Sequence, residues 1–175
     1  LVFAANGIWF VTGSQGIGFT ANDYTITKIS SIQSISPTSF VNVNGLPIFW
    51  NEEGIYTVNP AQQGLGLSVD SLTISTIDRF FADIPQSSKK YVKGSYNPLD
   101  YIVQWVYKSE EETSVTSRYQ YDRILCFNTN TKSFSPYTVA TQTGYPYIHA
   151  INYVASPGGS GAPAPVFKYL VSVAT

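Results

Sequence analysis

Alternation of apolar and other residues with a period of two is the feature that most limits what this chain can fold into. In the segment 101–108 the odd positions are Tyr, Val, Trp and Tyr, and the even positions are Ile, Gln, Val and Lys. The segment 119–127 alternates in the same way. A period of two places successive side chains on opposite faces of a β-strand. The pattern therefore predicts an all-β protein whose strands each bury one face.

Further strands and their turns follow from the same criteria. Predicted strands lie at residues 1–5, 8–12, 24–30, 39–43, 47–51, 54–59, 90–96, 133–140, 147–155 and 166–173. Turn residues separate them, among them the Asn-Gly pairs at 6–7 and 44–45. Asn-Gly supplies the positive φ angles that a two-residue hairpin requires. We therefore expect a meander of antiparallel strands.

One segment departs from the strand pattern and predicts a short helix within residues 68–84. Its apolar residues recur at helical spacing, at Ile77, Phe80, Phe81 and Ile84. The candidate N-caps are Ser68, Asp70 and Ser71, and Pro85 would end the helix. The helix divides the chain into a first β group at 1–66, a connection at 67–87 and a second β group at 88–175. The stretch 156–165, rich in Gly and Pro, is predicted to be a flexible loop.

Composition narrows the classes of function. Charged residues make up 12% of the 175 residues and the net charge is −1, whereas electrostatic binding of nucleic acid needs clustered Lys and Arg. No apolar run approaches the roughly 20 residues that cross a bilayer, so no membrane-spanning segment is predicted. The chain lacks methionine and begins within an apolar run. We therefore expect a fragment of a larger or processed protein.

Residues 12–18, Thr-Gly-Ser-Gln-Gly-Ile-Gly, resemble the phosphate-binding turn of short-chain dehydrogenases. That turn has three residues between its first two glycines, and here there are two. A dinucleotide site also needs a helix after the turn and an acidic residue about 20 positions later. Residues 24–30 alternate as a strand, and residues 29–51 contain no acid. Tyr24 and Lys28 have Tyr-x-x-x-Lys spacing but lie in that strand, so we predict a hairpin loop and no cofactor.

The remaining reactive side chains do not form a catalytic pattern. Cys126 is the single cysteine and lies in an apolar run, which favours a buried, inert thiol. His149 is the single histidine and lies in a predicted strand, without the partners of a triad or a zinc site. Asp100 and Asp122 could approach each other as glycosidase carboxylates do, but Asp122 and Arg123 are more simply an ion pair across strands or subunits. We predict no catalytic residue, no metal site and no enzymatic activity.

Two further features are compatible with a binding role and with a purely structural one. The aromatic faces around Trp105 and Tyr119–Tyr121 could stack on sugar rings, and core packing or a subunit interface explains them equally well. The acidic run Glu110–Glu112 is predicted to be a solvated hairpin tip.

A faint internal repeat suggests propeller blades. Asn-Gly-Ile-Trp-Phe-Val at 6–11 returns as Glu-Gly-Ile-Tyr-Thr-Val at 53–58, and Tyr-Thr-Val at 56–58 returns at 137–139. Periods of about 40–50 residues that contain four short strands are typical of β-propellers.

The order of these segments is itself recognisable. It runs GIWFVTG at 7–13, FTANDYTI at 19–26, VNGLPIFW at 43–50, EGIYT at 53–57, VKGSY at 92–96, IVQWVY at 102–107, YDRILCFN at 121–128 and FSPYTV at 134–139. Over about residues 1–140 this order resembles the tail nozzle proteins of short-tailed bacteriophages, also called tail tubular protein B.

The resemblance implies a β-propeller and a structural role in the virion tail. It implies a ring, usually of six copies, that lies below the portal and contacts the adaptor, other tail proteins and tail fibres. Double-stranded DNA would pass non-specifically through its channel during genome ejection. The alternative expectation is a glycan-binding β-propeller or lectin-like module.

Overall fold

The computed structural model describes residues 1–13, 20–61, 66–139, 147–154 and 166–171. Within them the strands are β1 (Val2–Ala4), β2 (Gly7–Gly13), β3 (Tyr24–Ser30), β4 (Val41–Val43), β5 (Leu46–Trp50), β6 (Ile55–Pro60), β7 (Leu67–Ser71), β8 (Lys93–Asn97), β9 (Ile102–Tyr107), β10 (Arg123–Asn128), β11 (Ser133–Thr138), β12 (Ile148–Val154) and β13 (Val166–Val171). The helices are α1 (Asp78–Ala82) and α2 (Gln86–Lys89), and single 3-10 turns lie at Pro37–Ser39 and Val115–Ser117.

The strands form four antiparallel sheets in the order of the chain. Their spatial orders are β1-β2-β3, β4-β5-β6-β7, β11-β10-β9-β8 and β12-β13. Each strand therefore pairs with its neighbours in sequence, as short hairpin connections require. The predicted all-β antiparallel meander is confirmed. In the part of the chain that the structure describes, no helix is long and apolar enough to cross a membrane.

The Asn-Gly hairpin between β4 and β5 has the predicted turn chemistry. Asn44 and Gly45 have φ angles of 52° and 89°, which are the positive values that match the twist of the flanking strands. The side-chain oxygen of Asn42 accepts a 2.8 Å hydrogen bond from the Gly45 amide and closes the turn.

The predicted helix is wrong at its beginning. The candidate N-caps Ser68, Asp70 and Ser71 lie in β7, which pairs with β6 from Tyr56↔Ser71 to Pro60↔Leu67. Helical structure begins only at Asp78. Leu67 and Val69 alternate with polar residues and pack against the sheet, and this pairing outweighs the weak helix propensity of the segment.

The end of the helical segment follows the prediction more closely. Phe81 and Ile84 are buried, while Ile77 and Phe80 are half-buried against the same core. Helix α1 ends at Ala82, and Pro85 then precedes α2 with a φ angle of −58°. The proline therefore separates two short helices.

Two sequence-based details of the second β group are also wrong. Strand β10 begins at Arg123 and not at residue 119, because the segment between β9 and β10 folds back as a loop. Residues 137–138 lie on β11, the fourth strand of its sheet, whereas residues 56–58 lie on β6, the third strand of its sheet. The Tyr-Thr-Val match therefore joins non-equivalent strands. By contrast, the match between 6–11 and 53–58 aligns two turns that are each followed by a strand, β2 or β6.

Two predicted loops fall largely outside the described residues. Residues 14–19 of the glycine-rich segment lie outside them, and β2 and β3 on either side pair as a hairpin, with Gly13 opposite Tyr24. The proposed flexible loop at 156–165 also lies outside them, between the paired strands β12 and β13.

The largest core lies between the two four-stranded sheets. Trp50 of β5 packs on Phe81 of α1 with ring centroids 4.8 Å apart and lies 6.1 Å from Trp105 of β9. Leu125 of β10 is buried in the same cluster. The alternating residues of β9 behave as predicted, since Val103, Trp105 and Tyr107 face this core.

The 3-10 turn at Pro37–Ser39 links the two sheets through buried polar groups. The Ser39 hydroxyl donates to the Ser36 carbonyl at 2.7 Å and accepts from the Trp50 amide at 3.1 Å. The Trp105 indole donates to the Ser39 carbonyl at 2.9 Å. Ser36 in turn donates to the carbonyl of Val92, just before β8, at 3.0 Å.

Replacement of Leu125 by alanine tests the central core. We expect Leu125→Ala to lower the free energy of unfolding by about 2–5 kcal/mol, because it removes buried methyl groups and leaves a cavity. Leu99→Ala is the matched control, since Leu99 is 62% exposed, and we expect a change within about 0.5 kcal/mol. Urea denaturation of both variants measures the difference, and equal losses would contradict this placement of the core.

Candidate functional site

The aromatic side chains that could stack on sugar rings, pack in the core or form a subunit interface differ sharply in exposure. Trp105 is fully buried and its indole N–H is already bonded to Ser39. Tyr121 is buried as well, and its hydroxyl donates to the carbonyl of Tyr91. Tyr119, by contrast, is 47% exposed. Of the alternatives left open by the sequence, core packing therefore applies to Trp105 and Tyr121, and of these three side chains only Tyr119 offers surface to a ligand.

Tyr119 belongs to a cluster of tyrosines and cations at one end of the third sheet. The rings of Tyr91 and Tyr119 meet edge to face with centroids 5.9 Å apart. The Lys93 ammonium lies 4.5 Å from the centroid of Tyr119, and the Arg118 guanidinium lies 5.2 Å from that of Tyr91. Both cations gain from the negative faces of the rings. Burial raises the pKa of Tyr121, so its hydroxyl stays neutral.

A pocket of about 230 Å³ opens beside this cluster, and we call it the Arg118 pocket. One wall comes from α2 and the segment that joins it to β8, and the other comes from the long loop between β9 and β10. The residues that line it include Ser87, Lys90, Tyr91, Glu112, Thr113 and Arg118. Two cations, a tyrosine and several hydroxyl groups therefore line one small concave surface.

Glu112 has a structural role in the wall of the Arg118 pocket. Its side chain is only 5% exposed and lies 3.4 Å from the Lys108 ammonium. It also accepts hydrogen bonds from the Ser117 hydroxyl at 2.7 Å and the Ser114 amide at 2.8 Å. Burial alone would raise the pKa of Glu112, but these hydrogen bonds and the charge of Lys108 outweigh it and hold the pKa below its ordinary value. The predicted solvated tip is therefore wrong for Glu112, although Glu110 and Glu111 are exposed.

Lys89 is a second unusual cation near the same end of the sheet. It is fully buried, donates to the Glu52 carbonyl at 2.9 Å and places its ammonium 4.4 Å from the centroid of Phe81. Burial lowers the pKa of Lys89, and the carboxylate of Glu52 opposes that effect. Because Lys89 lies on α2 and Glu52 follows β5, this hydrogen bond ties α2 to the turn after β5. Gln86 of α2 donates to the same carbonyl at 3.1 Å.

Cys126 and His149 occupy the environments expected for them. Cys126 is buried on β10, where burial raises the pKa of its thiol to about 11 despite a hydrogen bond from Gln104. A thiol of that pKa is a poor nucleophile at neutral pH. His149 lies half-buried on β12, and its backbone carbonyl accepts a 3.2 Å hydrogen bond from Lys93.

The carboxylates considered for glycosidase chemistry lie far apart. Asp100 is in the turn before β9, where Asn97 donates to it at 2.6 Å. Asp122 follows the loop after β9 and accepts from the Ser109 amide at 2.8 Å. The six residues of β9 separate them by about 20 Å, beyond the separation such a pair needs. Asp122 does pair with Arg123 at 3.0 Å, but as an adjacent residue and not across strands.

Tyr24 and Lys28 both lie on β3, as the sequence predicted. Lys28 places its ammonium 5.6 Å from the ring of Trp9 on the paired strand. No helix follows the glycine-rich segment among the described residues, where the turn at Thr20–Asp23 leads directly into β3.

The Arg118 pocket itself was not predicted from the sequence. The available signal was the mixture of basic and aromatic residues in Lys-Lys-Tyr-Val-Lys at 89–93 and Arg-Tyr-Gln-Tyr at 118–121. Among the described residues, no three His, Cys, Asp or Glu side chains come together as a metal site. No protein-family model matches this sequence, and no curated protein shows significant similarity to it.

The acid sensitivity of the fold tests the role of Glu112. Its pKa is lowered in the folded state, so its carboxylate stabilises the fold above the unfolded pKa, and this contribution is lost as the pH falls through the folded pKa. We therefore expect Glu112→Gln to lower the melting temperature at about pH 7, with the difference from the unmodified protein shrinking towards about pH 3.

Glu111→Gln is the control for this measurement, because Glu111 is the exposed neighbour. Thermal denaturation followed by circular dichroism across the same pH range should show little effect of that change. A difference between Glu112→Gln and the unmodified protein that stays constant with pH would contradict the assignment.

Proposed function

We propose that this chain is part of a β-propeller that assembles into a tail ring of the nozzle type. The observation that carries the proposal is the row formed by β4, β8 and β12. These are the first strands of three successive sheets, and β8 lies against both β4 and β12. Strand β3 lies against β7, and each is the last strand of its sheet. A propeller repeats its blades radially around a central axis, which brings the first strands of successive blades side by side, so the row of β4, β8 and β12 supports the proposal.

The spacing of the first strands supports the same proposal. Strands β4, β8 and β12 begin at Val41, Lys93 and Ile148, so the unit recurs at intervals of about 50 residues, a spacing found in propeller repeats. Between the second and third sheets the facing side chains form one continuous core. Such face-to-face packing of successive sheets is how blades are held together.

The first sheet has an apolar face that supports packing against a further sheet or subunit. Its inner face carries Phe3 and Ile8, which pack with Phe49 of β5. Its outer face carries Val2 and Ile26, which are 49% and 54% exposed. Trp9 and Val11 of β2 lie between them on the same face, and a contiguous exposed apolar patch of this kind supports an interaction surface.

The biological role in this proposal comes from the resemblance of the segment order to tail nozzle proteins. Under this proposal the protein is a non-enzymatic component of a bacteriophage tail and forms a ring, usually of six copies. The partners of the ring are the adaptor, other tail proteins and tail fibres. Double-stranded DNA passes through the channel without sequence-specific contacts, which suits a chain with 12% charged residues and a net charge of −1.

Particle imaging tests the ring directly. We expect the full-length protein to form rings with a central pore in electron micrographs, and native mass spectrometry to give a mass that corresponds to about six copies. The physical reason is the exposed apolar surface, which a closed assembly would cover. Isolated monomers at all concentrations would contradict the proposal and would favour the alternative, a glycan-binding or lectin-like module.

Cysteine labelling tests whether the outer face of the first sheet is covered. We expect Ile26→Cys in the full-length protein to react with a maleimide at least about tenfold more slowly than Thr27→Cys, its exposed neighbour on the opposite face of β3. The buried Cys126, with its raised pKa, gives little background. Peptide mass spectrometry reads the rates, and equally fast labelling would show that nothing packs on this face.

A further inference from the structure

We propose that the Arg118 pocket binds a carboxylate-bearing sugar residue. This pocket has no role in the proposed ring, so neither proposal depends on the other. The inference rests on the free hydrogen-bonding capacity of Arg118, on the surplus of positive charge in the pocket, and on the polar groups and size of its walls.

The guanidinium of Arg118 has hydrogen-bond donors that no described group uses. Its guanidinium lies over the ring of Tyr91, 5.2 Å from the centroid, and no described group accepts a hydrogen bond from it or forms an ion pair with it. A guanidinium carries five N–H donors in a planar fork that matches a carboxylate with two parallel hydrogen bonds. Contact with the aromatic ring holds a cation in place without neutralising it. Arg118 is thus held ready for an oxyanion.

The charge balance of the pocket is positive. Lys90 is exposed on the opposite wall, and no described carboxylate pairs with it. Glu112 is the acid in the wall, but its charge already faces Lys108 and its oxygens accept from Ser114 and Ser117. Two cations therefore remain for a ligand.

The walls and the volume point to a sugar. The Ser87 hydroxyl oxygen accepts a 2.9 Å hydrogen bond from the Glu112 amide, which leaves its own proton to donate. The exposed Thr113 adds a second hydroxyl group. The volume of about 230 Å³ is several times the roughly 30 Å³ that one water occupies in the liquid. It lies below the range of about 300–1,000 Å³ for drug-sized ligands, so a single sugar ring suits it.

A polyanion is a poorer ligand for the same site. Glu110 and Glu111 are exposed immediately before Glu112 in the same loop, and they repel a chain of closely spaced negative charges within the Debye length of about 8–10 Å. A single carboxylate on a neutral ring carries only one negative charge, so these acids repel it less, while it still meets the charges of Arg118 and Lys90.

Titration with D-glucuronate tests the proposal. We expect isothermal titration calorimetry and saturation-transfer NMR to show binding of glucuronate, with glucose at least tenfold weaker because it lacks the charge. Inorganic phosphate serves as the anion control. No binding of glucuronate at about 10 mM, equal binding of glucose, or binding of phosphate as tight as that of glucuronate would overturn the proposal.

Variants locate the binding in the pocket. Arg118→Gln should weaken glucuronate binding at least about tenfold, because a charge-assisted bidentate contact is lost. Lys90→Gln, an exposed change that leaves the fold intact, should weaken it about threefold, and it keeps the test valid if Arg118→Gln does not fold. Arg79→Gln, on the exposed side of α1, should have no effect. Unchanged affinity in both pocket variants would overturn the assignment.

Discussion

The structure depends on a buried network of hydrogen bonds around Ser39. Its hydroxyl joins the Ser36 carbonyl to the Trp50 amide, and its carbonyl accepts the indole N–H of Trp105. Close packing of the side chains holds the two sheets together, but dispersion attraction between atoms has little directional preference of its own. Buried hydrogen bonds are directional and costly to break, so they fix one arrangement. The Pro37–Ser39 turn therefore sets how the second and third sheets face each other.

That arrangement explains why a glycine stands at the beginning of β8. The carbonyl of Val92 accepts from both Ser36 and Thr38, which brings β8 against β4. A Cβ atom on Gly94 would lie 2.5 Å from a methyl of Val41 and 2.6 Å from the indole nitrogen of Trp105. No side chain has room there, and the first strands of the two sheets can approach closely. The same geometry places Tyr91 and Lys93 where the loop after β9 can fold onto them.

The sequence predicted the parts of this fold that local chemistry decides. Strand β3 has the predicted bounds, and Asn44-Gly45 forms the predicted hairpin, because alternation and positive φ angles are properties of neighbouring residues. The helix N-caps were wrong because pairing with β6, a tertiary contact, decides residues 67–71. The contact of Arg118 with Tyr91 was also missed, since it joins residues far apart in sequence through a loop with no periodic signal.

Cations in this chain are held largely by neutral partners, and this bears on what its surface can bind. Lys89 is partnered by a carbonyl and the ring of Phe81, Lys93 by a carbonyl and Tyr119, and Arg118 by Tyr91. A carboxylate partner would cancel the charge, whereas carbonyls and aromatic rings stabilise the cation and leave its field largely intact. A chain with few charged residues can thus keep a positive electrostatic potential around individual cations. Of these three cations, Arg118 alone has no hydrogen-bond acceptor among the described groups and lines a pocket large enough for a ligand, so the remaining capacity for an oxyanion is concentrated there.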